Sequence, residues 1–196
     1  ELLELVELPT SYKTRLPGEL SGGEKQRINL ARALAAEPEV ILCDEVTSAL
    51  DTVVGKAIID LLKKLQANLG VAYLFISHDL STVASFADHV VVLYAGRVVE
   101  QGPLASVLAP PFHPYTRLLL NSVPELRTDW LDGVVASKAH LDHLGQAVDS
   151  SKVGCPFFNR CAVAVNDVCN RRDVPLRQMA QGHTVACHLE LDALRE

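Results

Sequence analysis

LSGGEKQRINLARALAAEPEVILCDEVTSALD, residues Leu20 to Asp51, joins a helical pattern to a strand pattern through one proline. Ile28, Leu30, Ala31, Leu34 and Ala35 recur at helical spacing after Ser21, and Pro38 stops them. That predicts a helix of about four turns. Val40-Ile41-Leu42-Cys43 is then an unbroken apolar run tipped by Asp44 and Glu45. It has the pattern of a parallel strand buried on both faces, with its acidic end at the carboxyl edge of a sheet.

The same order continues downstream. Val53, Val54, Ala57, Ile58, Leu61, Leu62 and Leu65 mark an amphipathic helix that Gly70 terminates, and a second buried strand from Val71 to Ile76 delivers Ser77, His78 and Asp79. Strand, helix, strand implies a right-handed crossover between parallel neighbours. The ends carrying Asp44, Glu45 and His78 should therefore face one crevice, where α/β folds bind ligands. A short helix over Leu80 to Ala87, a hairpin turning at Ala95-Gly96, and helices near Pro103 to Leu108 and Tyr115 to Val123 complete the main body. Upstream, Leu2 to Leu8 has helix-compatible spacing that Pro9 ends. Glu1 opens inside this pattern without an initiator Met, which predicts a fragment.

The chain has 196 residues, 48% of them hydrophobic, enough for one core and a smaller appendage. A net charge of -6, with no dense Lys/Arg run, disfavours a nucleic-acid or anionic-lipid surface. No apolar stretch approaches the ~20 residues that span a bilayer, and the sequence from Glu1 does not open on a basic region followed by an apolar segment and a cleavage site, so the expectation is a soluble, unexported chain. Four of the five cysteines lie between residues 155 and 187, which in an intracellular chain points to metal ligation before disulfides.

Ser21-Gly22-Gly23-Glu24 opens a helix where a hydroxyl, unpaired N–H groups and the positive dipole end can address an anion. The same residues satisfy an S-x-x-E capping box, which needs no ligand. Asp44 can hold magnesium through water while Glu45 orients a nucleophilic water; the alternative is a solvated acidic loop. His78 can act at the same crevice, or merely cap the next helix. In order along one chain, LSGGE, VILCDE, SALD and SHD closely resemble the signature, Walker B, D-loop and switch-histidine motifs of the ATP-binding cassette ATPases.

The resemblance covers roughly residues 1 to 124. It implies ATP and Mg2+ as cofactors and a nucleotide-facing set of Ser21, Gly22, Gly23, Glu24, Asp44 and Asp51, with catalysis by Glu45 and His78. Ser21, Gly22 and Gly23 would contact the γ-phosphate of ATP held by an opposing subunit, Asp44 would support magnesium and Glu45 would polarise the attacking water. His78 would sense the γ-phosphate, and Asp51 would couple the two sites of a dimer. Nothing in the chain fits G-x-x-x-x-G-K-[ST], so the expectation is the second half of a catalytic domain, lacking the P-loop and inactive alone. Val46 stands where many relatives have Pro, and Cys43 where a small apolar residue is frequent. Neither removes a catalytic group, and Cys43 reads as inert and buried.

Pro110 to Pro124 resembles the extension of oligopeptide and dipeptide importer ATPases, and Gly154 to Leu189 resembles their terminal cysteine module. Cys155, Cys161, Cys169 and Cys187 are separated by five, seven and seventeen residues. These spacings match neither a zinc ribbon nor a compact ferredoxin run, so an iron-sulfur cluster, Zn2+ and metal-free thiols all stay open; the resemblance favours a [4Fe-4S] cluster. His183 and His188 read as surface residues, and His140 and His143 as solvated.

The expected fold is α/β: a partial P-loop NTPase core with a parallel sheet and part of the helical subdomain, plus a small cysteine-containing C-terminal module. The expected division is 1–124 for the ATPase part and its extension, 125–153 for a connector and 154–196 for the module. The resemblance implies an importer subunit at the cytoplasmic face of the cell membrane. Its implied partners are a second ATPase subunit, transmembrane permease subunits and a substrate-binding protein, with no nucleic acid. The rivals are a soluble cassette ATPase of translation or DNA repair, and a metal-bearing interaction module with a non-catalytic ATPase remnant.

Overall fold

The structure, a computed structural model, describes residues 1–122, 153–190 and 192–195. The connector residues His140 and His143 therefore lie outside the described residues. Two compact units are present, Glu1–Phe86 and Ala87–Glu196. Among the described residues the fold is mixed α/β, with one parallel pair of strands and one antiparallel four-stranded sheet.

The first unit begins with α1 (Leu2–Leu5), shorter than the spacing predicts. Glu7 at φ 58 breaks the helix, and the turn puts both Val6 and Leu8 into the core. Short 3-10 turns at Thr10–Thr14 and Pro17–Glu19 lead to α2 (Gly22–Leu34), followed by β1 (Val40–Asp44), α3 (Thr52–Leu69), β2 (Ala72–Ile76) and α4 (Leu80–Phe86). Strands β1 and β2 are parallel, in register from Val40 opposite Ala72 to Asp44 opposite Ile76. The predicted crossover is thus observed, with α3 as its helix.

One cluster holds the unit together: Leu30, Ala31 and Leu34 of α2, Ile41 and Cys43 of β1, and Ile58, Ile59, Leu61, Leu62 and Leu65 of α3. Each fully buried aliphatic side chain contributes roughly 1.5–3 kcal/mol. The inner face of α3 therefore outweighs its two caps, Asp51 at one end and left-handed Gly70 at the other. Burial on both faces of the strands is not what the structure shows. Side chains alternate along β1, with Ile41 and Cys43 inward while Val40 and Leu42 are each 61% exposed, and Leu74 of β2 is 59% exposed. Helical side chains pack on one face only, so a continuous apolar run here is half core.

The second unit starts with a hairpin of β3 (His89–Tyr94) and β4 (Arg97–Pro103). Ala95 (φ 51) and Gly96 (φ 75) form the left-handed pair that matches strand twist in a two-residue turn. Helices α5 (Leu104–Val107) and α6 (Pro114–Asn121) follow, then β5 (Leu176–Ala180) and β6 (His183–Ala186). The sheet order is β3-β4-β6-β5, with Glu100 opposite Val185 and Gln101 opposite Thr184. Gly102 explains how β6 comes so close: a Cβ there would meet His183 Cα at 3.0 Å.

Beneath this sheet lies a polar knot. Glu100, His113 and His183 are all at most 1% exposed. One Glu100 oxygen lies 2.8 Å from His183 Nε2, and the other accepts from the His113 backbone N–H at 2.9 Å. His183 is therefore not a surface residue as the sequence reading expects; a carboxylate brought from β4 makes its burial affordable. Burial raises the Glu100 pKa, against the bonds that lower it.

His113 is the N-cap of α6, its Nδ1 accepting from the Tyr115 N–H at 3.1 Å, and burial lowers its pKa to about 4. The unfolded imidazole takes a proton near pH 6.5 while the folded one does not, so stability is full above that pH and declines as pH falls toward 4. The expected result is a melting temperature that drops between pH 7 and pH 5. The drop should shrink in His113→Asn, which keeps a capping oxygen but does not titrate; an equal drop in both proteins would exclude His113 as its source.

No helix among the described residues is long and apolar enough to cross a membrane.

Candidate functional site

The first unit brings the acidic strand tip and the histidine together. Asp44 ends β1 opposite Ile76, the last residue of β2. Glu45 then turns at φ 48, its N–H donating to the Ile76 carbonyl at 3.0 Å. Its carbonyl accepts from the Ser48 N–H and hydroxyl at 3.1 and 2.9 Å. This left-handed turn swings the Glu45 carboxylate toward the chain leaving β2, where Oε1 lies 3.2 Å from His78 Nδ1. Both side chains are exposed. Asp44, Glu45 and His78 thus sit at the carboxyl ends of two paired parallel strands, as the crossover predicts.

His78 does not cap the next helix. That task falls to Asp79, whose carboxylate accepts from Ser81 and Thr82. Burial pushes the Asp79 pKa up, but those bonds more than offset it, and the net shift is downward.

At the start of α2, Ser21 is the N-cap in extended conformation (φ -65, ψ 167). Its N–H donates to Glu24 Oε2 at 2.7 Å, and its Oγ accepts the Glu24 N–H at 3.4 Å, completing the capping box. The Tyr12 hydroxyl donates to Glu24 Oε1 at 2.5 Å. With that bond first and the Ser21 bonds next, the Glu24 pKa is lowered to about 2. The glycines have a packing reason as well: a Cβ on Gly23 would meet Val54 Cγ1 at 2.6 Å, and one on Gly22 would meet Leu50 Cδ2 at 3.1 Å. The start of α2 is therefore pressed against the SALD segment and the first turn of α3. Asp51 caps that helix, its Oδ1 accepting from Val53 and Val54 at 3.0 and 2.9 Å.

Two residues that the sequence reading did not single out support this region. Tyr12 is one. Arg27 is the other, donating from α2 to the Val6 carbonyl at 2.8 Å and to Glu7 at 2.9 Å. Nothing local in the sequence signals either contact, because the partners lie twelve and about twenty residues away.

Cys155, Cys161, Cys169 and Cys187 line one cavity in the second unit, together with His113 and His188. All four thiols are free. Among the described residues, no group of three or more His, Cys, Asp or Glu side chains is placed to hold a metal ion. Burial raises the thiol pKa of Cys155 and Cys161 to about 11, and that of Cys187 upward. The expectation of an iron-sulfur cluster or Zn2+ at these cysteines is accordingly corrected: they line one cavity, but among the described residues they are not arranged as a metal site. Cys43 is likewise buried, its pKa pushed up to about 11.

Residues 1–48 match the family model described as ABC transporter, and residues 99–169 match the oligopeptide/dipeptide transporter C-terminal region. A protein of Brucella abortus (strain 2308) that carries the name of a peptide import ATP-binding protein is 44% identical over 96% of this chain and 54% of its own length. One of Sinorhizobium fredii, named as a peptide ABC transporter ATP-binding protein, is 39% identical over 95% of this chain and 55% of its own. The ADP conformation of an ATP-binding cassette of an ABC transporter superposes with a TM-score of 0.53 at 27% identity, over 62% of this chain and 47% of that one. The chain spans about half the length of the curated relatives it matches.

These matches also correct the expectation that the ATPase lacks a P-loop and is inactive for that reason. Residues 1–48 match a domain that typically includes the P-loop. The absence of that motif between Glu1 and Glu196 is thus no property of the catalytic domain to which these residues correspond. With the glycine-rich helix start, acidic strand tip and histidine in one unit, and the same relatives matching along nearly its whole length, this chain is a homologue of the ATP-binding cassette ATPases of peptide import.

Proposed function

We propose that this chain belongs to the ATP-hydrolysing subunit of an importer of peptides. The observation that carries the reading is the 3.2 Å approach of Glu45 to His78 at the ends of paired parallel strands, in a chain homologous to peptide-import ATPases. Glu45 is the base that orients and polarises the attacking water. His78 holds the Glu45 carboxylate on one side and reaches the γ-phosphate on the other. Asp44, an exposed hard-oxygen donor at the strand end, suits Mg2+, which when bound neutralises phosphate charge. Ser21, Gly22, Gly23 and Glu24 form the face presented to ATP of an opposing subunit, and Asp51, capping α3 beside it, couples the two sites.

In this reading residues 1–124 are ATPase and importer-type extension, 125–153 a connector and 154–196 an accessory module. The family match over residues 99–169 supports the importer assignment. ATP binding closes two subunits and hydrolysis reopens them, moving transmembrane permease subunits that receive peptide from a substrate-binding protein at the opposite face. The test is reconstitution of the complete protein with its permease in proteoliposomes. ATP hydrolysis should rise when peptide-loaded substrate-binding protein is added, and hydrolysis indifferent to every peptide pool offered would overturn the importer assignment.

A further inference from the structure

We infer that Tyr12 is a positioning residue for the ATP-facing start of α2, restraining the Glu24 carboxylate so that a phosphate can approach Ser21, Gly22 and Gly23; this rests on the proposed ATPase reading. Glu24 poses an electrostatic problem at this place. An anionic side chain on the first turn favours the helix itself, but it repels the phosphate that the same turn would receive. Its charge cannot be relieved by protonation, because the bonds it accepts hold its pKa at about 2. Geometry must do the work instead.

Both carboxylate oxygens are occupied. Oε2 takes the Ser21 N–H at 2.7 Å, the ordinary half of a capping box, and Oε1 takes the Tyr12 hydroxyl at 2.5 Å. The second bond is the one a capping box does not require. It is charge-assisted and short, which makes it directional. The phenol is itself anchored, its ring packed against the core cluster and the Arg15 guanidinium lying 4.1 Å from the ring centroid. Its pKa is raised, chiefly by the bond to Glu24, so it remains a donor.

The arrangement leaves the right groups for an anion. The Ser21 hydroxyl accepts only a long 3.4 Å bond from the Glu24 N–H. The N–H groups of Gly22 and Gly23 are among the first-turn donors that a helix cannot satisfy internally. Without Tyr12, one carboxylate oxygen would be free to turn toward these donors and compete for them.

The test is a double-mutant cycle on steady-state ATP hydrolysis by the complete protein. Tyr12→Phe, which keeps the ring in the core and under Arg15, should lower kcat about fivefold with KM for ATP changed less than about twofold. In the Glu24→Gln background, whatever its own rate, adding Tyr12→Phe should change kcat less than about twofold, since the charge needing restraint is gone. No loss in the native background, or equal losses in both, would overturn the inference, the second outcome marking a purely structural tyrosine. Ser21→Ala separates the two levels of the reading. If it slows hydrolysis while Tyr12→Phe does not, positioning alone fails; if neither variant matters, the ATP-facing assignment of this helix start fails with it.

Discussion

Glu45→Gln in the complete protein reduces steady-state ATP hydrolysis by about a hundredfold or more while ATP binding is retained. The substitution preserves shape. Glutamine still fills the left-handed turn after β1, keeps the backbone bond to Ile76 and offers an amide to His78. What it removes is the carboxylate that takes a proton from water. Binding depends on other groups, so a nucleotide titration should give an unchanged Kd beside a collapsed kcat. Steady-state turnover within a few-fold of wild type would end the assignment of Glu45 as base, and would move the search to Asp44 and His78.

The second large effect concerns stability. His183→Ala should destabilise the unit Ala87–Glu196 by about 3–5 kcal/mol near neutral pH, because it strips a fully buried carboxylate of its ring partner. Glu100 keeps the bond from the His113 N–H but loses its charged or ring N–H partner, which favours uptake of a proton. Its pKa is already raised in the native fold, so the folded variant binds a proton that the unfolded chain releases above its ordinary value of 4.5. The loss should therefore be largest at pH 7 and smaller toward pH 5. The acid weakening caused by His113 is common to both proteins and cancels in the difference. Urea titrations of wild type and variant at the two pH values measure this, and a loss below about 1 kcal/mol at pH 7 would show that the pair is not a structural bond.

The part of this molecule legible in the sequence is the part built from local patterns. Helical spacing located α2 and α3, Gly70 was readable as the end of α3, and Ala95-Gly96 as a hairpin turn, because each depends on neighbours within a few residues. The crevice was legible for a related reason: a strand, a helix and a strand admit one handedness, which places Asp44, Glu45 and His78 together. Strands β5 and β6 were not legible. LRQMA and HTVA lack the alternation of a half-buried strand, and their stability comes from pairing with each other and with β4. His183 and Tyr12 were opaque on the same ground, since their partners lie 83 and 12 residues away. The cysteines show the opposite error. Their proximity was foreseeable, but whether four thiols take up the arrangement of a metal site depends on the packing around them, which no spacing encodes.

The pairing of β6 with β4 sets an order of events during synthesis. Strand β4 emerges from the ribosome about eighty residues before its neighbour, so for several seconds at ~5–20 residues per second one edge of the hairpin has no partner. In that interval Glu100 also waits for His183, and an unpaired edge is the surface on which nascent chains associate wrongly. Charge is well placed to discourage this. The waiting strand carries Arg97 and Glu100, and until β6 arrives the carboxylate destined for the interior remains a hydrated anion that a second hydrophobic strand would have to desolvate. A group that costs stability as a lone buried charge thus guards its own strand until its partner has been made.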